Sequence, residues 1–204
     1  CKLMARPREF DADTALDQAM DLFWSKGYEA TSLDDLCGMT QLSRSSFYAT
    51  FGSKRNLLLR SVDRYVEQRN PRLAAILAQP LPIRGAFAAL AQQFIDQIVA
   101  GPGQRGCFLG NWAAELPGSD RAALARVRQG FASTEATFRD ALTRAKSRGE
   151  LPRGADVNAL ARFLMCGFQG LRLVGKVNAD RATLQDIADT MLRCLELTIP
   201  INRR

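Results

Sequence analysis

From Leu16 to Leu195 the apolar residues return every third or fourth position, and no stretch alternates apolar with polar residues. That regularity commits the chain to helices, because side chains three and four apart share a helix face, whereas a half-buried strand hides every second one. Leu16, Ala19, Met20 and Phe23 open the series, which Lys26 and Gly27 end. Ser32 and Asp35 have capping-box spacing for a short second helix. Ser43 is a good N-cap for a third helix through about Thr50; Gly52 breaks it. Ser53 then caps a fourth helix carrying Leu58, Val62, Tyr65 and Val66, which Pro71 is expected to end or bend.

Pro80 and Pro82 bracket a turn before a helix from about Ile83 to Ala100, with Phe87, Leu90, Phe94 and Ile98 on its apolar side. "GPGQRG" reads as a loop, because Gly and Pro punctuate it. "CFLGNWAAEL" is one short helix stopped by Pro117 and Gly118. Ser119 can cap a long helix with the stripe Leu124, Val127, Phe131, Phe138, Leu142 and Ala145. After "RGELPRGAD" come two more helices, roughly Val157–Val177 and Ala182–Ile199, carrying Leu160, Leu164, Phe168 and Leu171, then Leu184, Ile187, Met191 and Leu195. The expected fold is all-α with about nine helices and no internal repeat.

Composition narrows the chemistry. The 204 residues suffice for one generous domain or two small ones, and they contain no histidine. This removes the usual general base, the Ser/His and Cys/His dyads and the commonest metal ligand, so neither an enzyme nor a metal site is expected. The five cysteines lack CxxC spacing, which points to free thiols in a reducing cytoplasm. No apolar run approaches the roughly 18 residues of a membrane span. The start lacks the apolar segment of a secretory signal; Met4 followed by "ARPREF" reads as a natural start, with residues 1–3 an added remnant. A net charge of +7 favours an acidic partner.

The charge is placed as well as counted. No Asp or Glu lies between Asp35 and Asp63, while Arg44, Lys54, Arg55 and Arg60 sit inside that interval. The second and third helices are short and separated by about "TQLS", which is helix-turn-helix spacing. Such a unit sets the N-terminal part of its second helix in the major groove. Arg44 can reach base edges there, and Ser43, Ser45, Ser46, Tyr48 and Thr50 supply hydroxyls for phosphate oxygens. Lys54 adds charge at the start of the fourth helix. Phe47 and Phe51 are expected to pack inward. Arg6 and Arg8 form either a basic arm toward the DNA backbone or minor groove, or a disordered tail.

The segment "TSLDDLCGMTQLSRSSFYATFGSKRNLL" resembles the DNA-binding domain of the tetracycline-repressor (TetR) family. The resemblance rests on Thr31 and Ser32 at the opening of the second helix, on the "S-x-x-x-[LF]-Y-x-x-F-x-x-K" core from Ser43 to Lys54, and on Phe23, Gly27 and Tyr28 before it. It covers about residues 8–64; "GELPRGADVNALARFLMCGFQGLRL" fits the family more loosely. Two positions depart: Gln41 stands where the turn usually carries Gly, and Gly38 lies inside the second helix, at about 1 kcal/mol of local helicity. The resemblance implies a DNA-binding domain over 1–64 that includes Thr31 and Ser32 among its contacts. It also implies a ligand-binding and dimerising domain over 65–204.

Aromatics on several helices of that second part should face a common centre. Phe108, Trp112, Phe131 and Phe168 are the expected walls of a site for a small, largely apolar effector, with Asn111, Glu115 and Gln169 as polar handles; plain core packing is the alternative. Cys107 and Cys166 are candidates for sensing electrophiles or are inert thiols. For a homodimer, Gly167, Gly170 and Val174 on the eighth helix, with Met191 and Leu195 on the ninth, would pair with a second copy in a four-helix bundle. The expected function is a ligand-responsive transcriptional regulator, a repressor released from a pseudo-palindromic double-stranded operator by its effector. The alternatives are a non-specific architectural DNA binder and a small-molecule-binding all-α protein with a vestigial helix-turn-helix.

Overall fold

The computed structural model describes residues 11–117 and 120–196. The proposed arm at Arg6 and Arg8, the start near Met4 and the Ser119 cap lie outside them. The described residues form nine α-helices: α1 Ala12–Lys26, α2 Leu33–Thr40, α3 Arg44–Phe51, α4 Lys54–Leu77, α5 Ile83–Val99, α6 Phe108–Glu115, α7 Arg121–Ser147, α8 Val157–Val177 and α9 Arg181–Leu192. Short 3-10 turns at Pro102–Arg105 and Arg193–Leu195 complete them, and none of the described helices is long and apolar enough to cross a membrane. The chain divides into two compact units, Cys1–Arg64 and Tyr65–Arg204.

Helix starts follow capping chemistry. Asp11, Ser32, Ser43, Asp156 and Asp180 each accept a hydrogen bond from a backbone N–H one to three residues into the helix. Asp120 does the same for α7. Helix α5 has no such side chain, because Pro82 precedes it. Its first N–H, at Ile83, donates instead to Glu150 Oε2 at 2.6 Å, and Arg148 donates to the other oxygen of that carboxylate. The "GEL" turn thus stitches two ends of the second unit together, with Leu151 buried beside it.

Pro71 does not end α4, which continues for six residues to Leu77. The missing N–H leaves the Glu67 carbonyl without its usual helical donor. Leu73 and Leu77 lie in the second unit's hydrophobic core, and that burial outweighs the lost bond. The ninth helix also differs from expectation: it stops at Leu192 and tightens into the turn at Arg193–Leu195, and residues 197–199 lie outside the described set.

In the first unit, Leu16, Met20, Phe23, Leu36, Phe47 and Phe51 are buried. The second unit is centred on Phe87, Phe138 and Phe168. The rings of Phe87 and Phe138 meet edge to face at 5.2 Å, and Phe168 lies 5.7 Å from Phe138 and 5.6 Å from Phe94.

Three glycines of α8 face three different things. A Cβ on Gly167 would strike Met191 of α9. One on Gly175 would lie 2.7 Å from Ile98 Cδ1 and 2.8 Å from its Cγ2, so α8 approaches α5 more closely than any side chain allows. A Cβ on Gly170 would meet nothing within 4 Å. This corrects part of the expected dimer surface. Gly167, Met191 and Leu195 pack inside their own protomer, and Val174 is half-buried against the same core. Gly170 remains outward. It lies on a strip with Phe163, Cys166, Leu173 and Val177, spaced alternately three and four residues apart; Val177 is 89% exposed and Leu173 66%. A sustained three-four spacing is the pattern of a helix-to-helix seam.

Candidate functional site

The turn between α2 and α3 solves a backbone problem without glycine. Gln41 adopts the left-handed conformation at φ 57°, the single non-Gly positive φ among the described residues. Its N–H donates to the Cys37 carbonyl, and so does that of Leu42 at 3.1 Å. These bonds close a Schellman-type end to α2 and release the chain into α3. Ser43 caps α3 by accepting from the Ser46 N–H at 3.1 Å, and its hydroxyl lies 2.9 and 2.8 Å from those of Ser45 and Ser46. Phe47 and Phe51, both inward as expected, anchor the helix, their rings 5.5 Å apart. Its opposite side presents Ser43, Arg44, Ser45, Ser46 and Tyr48, all exposed.

Arg44 is engaged. It donates from Nε at 3.2 Å and Nη2 at 2.7 Å to Asp34 Oδ1, and from Nη2 at 2.9 Å to Oδ2. This pairing with Asp34 raises the guanidinium pKa still further above its ordinary value. Lys54 places its ammonium 4.3 Å over the Tyr28 ring at the start of α4. Arg60 donates to the Thr50 carbonyl at 3.3 Å.

Two of the expected contacts, Thr31 and Thr50, change role. Thr31 is fully buried, and its hydroxyl donates to the Gly27 carbonyl at 2.6 Å, so it fixes the α1–α2 hinge and cannot touch a ligand. Ser32 stays exposed while capping α2, its N–H and hydroxyl both directed at Asp35 Oδ2, where Lys26 also donates. Thr50 is half-buried and donates back to the Ser46 carbonyl at 2.8 Å.

The second unit contains a cleft, and it is not walled as expected. Phe168 and Gln169 line it; Phe108, Asn111, Trp112, Glu115 and Phe131 do not. Trp112 and Phe108 are core, with the Phe108 ring 5.5 Å from that of Tyr65. Asn111 donates to the Arg105 carbonyl at 2.7 Å and accepts from Lys176 at 3.2 Å, which ties down a loop. Glu115 lies exposed at the end of α6, and Phe131 is half-buried on α7.

The polar groups that do line the cleft are Arg69, Thr134 and Arg172 beside Gln169. Arg172 donates to the Tyr65 hydroxyl at 3.2 Å and to the Gly106 carbonyl at 2.7 Å, and lies 5.0 Å over the Phe94 ring. Arg69 donates to the Thr134 hydroxyl, lies 4.9 Å over the Tyr65 ring and reaches Cys107 Sγ at 3.7 Å. Burial pushes the Cys107 thiol up, but Arg172 and then Arg69 draw it down, and the net shift is downward. Sequence spacing offered one signal for these residues: Arg172 stands four after Phe168 and three after Gln169, a cation on the cleft side of an apolar helix.

Two family models match this chain: the tetR family of bacterial regulatory proteins over residues 15–60, and the tetracyclin repressor-like C-terminal domain over residues 86–191. The HTH-type transcriptional repressor ComR of Escherichia coli K12 is 34% identical over 197 residues, which span 94% of this chain and 92% of ComR. The HTH-type transcriptional regulator YezE of Bacillus subtilis 168 is 34% identical over 95% of this chain and all of its own. Among solved structures, a cysteine variant of the TetR family regulator CifR, complexed with 26-base-pair operator DNA, superposes with a TM-score of 0.81 at 29% identity, over 93% of this chain and 98% of that one.

Proposed function

The chain belongs to the TetR family of bacterial transcriptional regulators, and from that premise we propose that it is a homodimeric repressor, released from a pseudo-palindromic operator by a small molecule in the cleft of its second unit. The observation that carries the reading is the exposed side of α3, where Arg44 stands among the hydroxyls of Ser43, Ser45, Ser46 and Tyr48. Lys54, Arg55 and Arg60 follow it with no acid before Asp63. The hydroxyls suit phosphate oxygens, which position a protein on DNA, and Arg44 suits the paired acceptors of guanine, which specify sequence. The operator complex of CifR, with the same fold along nearly its whole length, supports an operator-binding role.

Two-fold pairing through the outward strip of α8 would bury Phe163, Leu173 and Val177 against their copies, with Gly170 letting the helices approach. Each recognition helix then meets a half-site about 34–36 Å from the other. Helix α4 contributes residues to both units, Leu57, Leu58 and Val62 before the boundary and Tyr65, Leu73 and Leu77 after it. A ligand acts through the difference in its affinity for the DNA-competent and released states, and induction is no stronger than that difference. The protein works where the chromosome is, in the cytoplasm, as a regulator and without catalysis.

Selection of bound genomic fragments followed by binding titrations tests the reading. Arg44→Ala should relax preference at one operator position by roughly tenfold to a hundredfold. Lys54→Ala should weaken all sequences alike and lower the salt slope by about one. Equal, sequence-independent losses would make the protein an architectural binder; failure to select any fragment would mark the helix-turn-helix as vestigial.

A further inference from the structure

We propose that the cleft of the second unit is a site for a small organic anion, a short-chain or aromatic carboxylate, gripped between Arg69 and Arg172. Two guanidiniums line one recess, and among the described residues neither is paired with a carboxylate. Their donors go to neutral acceptors: Arg172 to a phenol and a backbone carbonyl, Arg69 to a hydroxyl, a thiol and the Asn70 amide oxygen at 3.4 Å. Arg69 Nε is buried and has no partner at all.

Both arginine side chains are half-buried; like charges brought together there are costly unless an anion joins them, and the buried, unmatched Arg69 Nε adds its own desolvation cost. The group that responds to this field is Cys107, whose thiol the two arginines draw down against the effect of burial.

The rest of the recess sets the body of the ligand. Leu73, Phe94, Phe138, Met165 and Phe168 supply the apolar part of the lining, with Arg172 stacked on the Phe94 ring. That mixture of cations and hydrocarbon fits a carboxylate with a hydrocarbon or ring attached and does not fit a phosphate or sulfate, which is polar on every side. Gln169 and Thr134 supply neutral hydrogen-bonding groups beside the charge. The open space is small, about 10 Å³, the room of a single water. An anion larger than formate must therefore part the aromatic wall, and the wall includes Phe168, at the centre of the unit's core. Occupation and rearrangement of the core are then one event. As a binding site the proposal stands alone; as the effector site it rests on the regulatory reading above.

The full-length protein decides it by calorimetry with propionate, butyrate and benzoate, each beside its uncharged amide and beside inorganic phosphate. The carboxylates should bind more tightly than their amides by roughly tenfold to a hundredfold, the worth of a charge-assisted pair. Phosphate should bind no better than the amides. Arg172→Met should remove the acid-over-amide preference, and Gln169→Leu, which leaves both arginines and their partners in place, should keep it while weakening both ligands. Acids and amides binding alike, phosphate binding best, or no acid binding at 10 mM (about 2.7 kcal/mol) would each overturn the anion site, and the wild-type series decides this even where a variant misfolds. Carboxylate binding that leaves operator affinity unchanged would keep the site and sink the regulatory reading. Loss of the anion site with induction by some other molecule would do the reverse.

Discussion

Replacing Gly175 with alanine sets two known effects against each other. An alanine Cβ there would sit 2.7, 2.8 and 3.1 Å from three carbons of Ile98. Comfortable carbon contacts lie near 3.5–4.0 Å, so Ile98 has to retreat by roughly 1 Å. Ile98 is only 1% exposed and branched at Cβ, so no spare rotamer absorbs the shift and α8 must lift from α5. Overfilling of this kind costs about 1–3 kcal/mol. Against it, alanine gains about 1 kcal/mol of helix propensity over glycine. The net change should be a loss of about 0–2 kcal/mol, and the steric part emerges from a cycle. Ile98→Ala alone should cost about 2–5 kcal/mol. In that background Gly175→Ala no longer meets the branched chain and should stabilise by about 1 kcal/mol. Urea unfolding at one fixed protein concentration, followed by far-ultraviolet circular dichroism, gives all four corners. A coupling of about 1–3 kcal/mol is expected. Equal effects of Gly175→Ala in both backgrounds would show that the α5–α8 contact is soft and the argument from close approach is wrong.

Gly170→Leu should leave the protomer folded, since nothing lies within 4 Å of its Cβ, but should push paired α8 helices apart. Sedimentation should show monomer with operator binding lost, and a stable operator-binding dimer would put the interface elsewhere. Trp112→Ala should destabilise by about 3–5 kcal/mol in the same urea assay, because the ring is packed in the core and not beside open space; a loss below about 1 kcal/mol would reveal a cavity at α6. Lys26 and then Ser32 hold the Asp35 carboxylate far below its usual range, so the folded chain takes up that proton less readily than the unfolded one. The resulting stabilisation is present above about pH 4 and is lost as pH falls through the depressed value. Asp35→Asn should accordingly flatten the acid side of the stability curve, and an unchanged acid limb would show that the capping box carries no such linkage.

The first unit was legible almost residue by residue, because its information is local. Ser32–Asp35, Ser43 and the Phe47–Phe51 pair each act within a few residues of themselves, as capping and helical periodicity require. Thr31 and Thr50 were misread because a hydroxyl at a helix border serves the backbone as readily as a ligand, and burial decides which. In the second unit the decisive facts are non-local. Pro71 stays helical because Leu73 and Leu77 find a core assembled from later helices. Helix α8 is apolar on two sides, and nothing in its spacing says whether Gly167 or Gly170 faces the protomer's own α9. The cleft was missed for the same reason: Arg69 and Arg172 stand on different helices, and only packing makes them neighbours.

The carboxylate that holds Arg44 alters how the protein would search a chromosome. Along arbitrary DNA the nearest anions are phosphates, and Asp34 both satisfies the guanidinium and repels that backbone. Asp34 has to be given up before Arg44 can grip either a phosphate or a base edge, and a guanine edge returns the same two-bond geometry. On the proposed reading, the charge of Asp34 would lessen what Arg44 adds to chance encounters with the backbone, and visits to wrong sequences would be shorter. With roughly 10⁶–10⁹ wrong sites competing for each molecule, the interval between successive finds of the operator depends on those visits. A side chain that holds Arg44 in the free protein would thereby set part of the speed at which a gene is shut off again once its signal has gone.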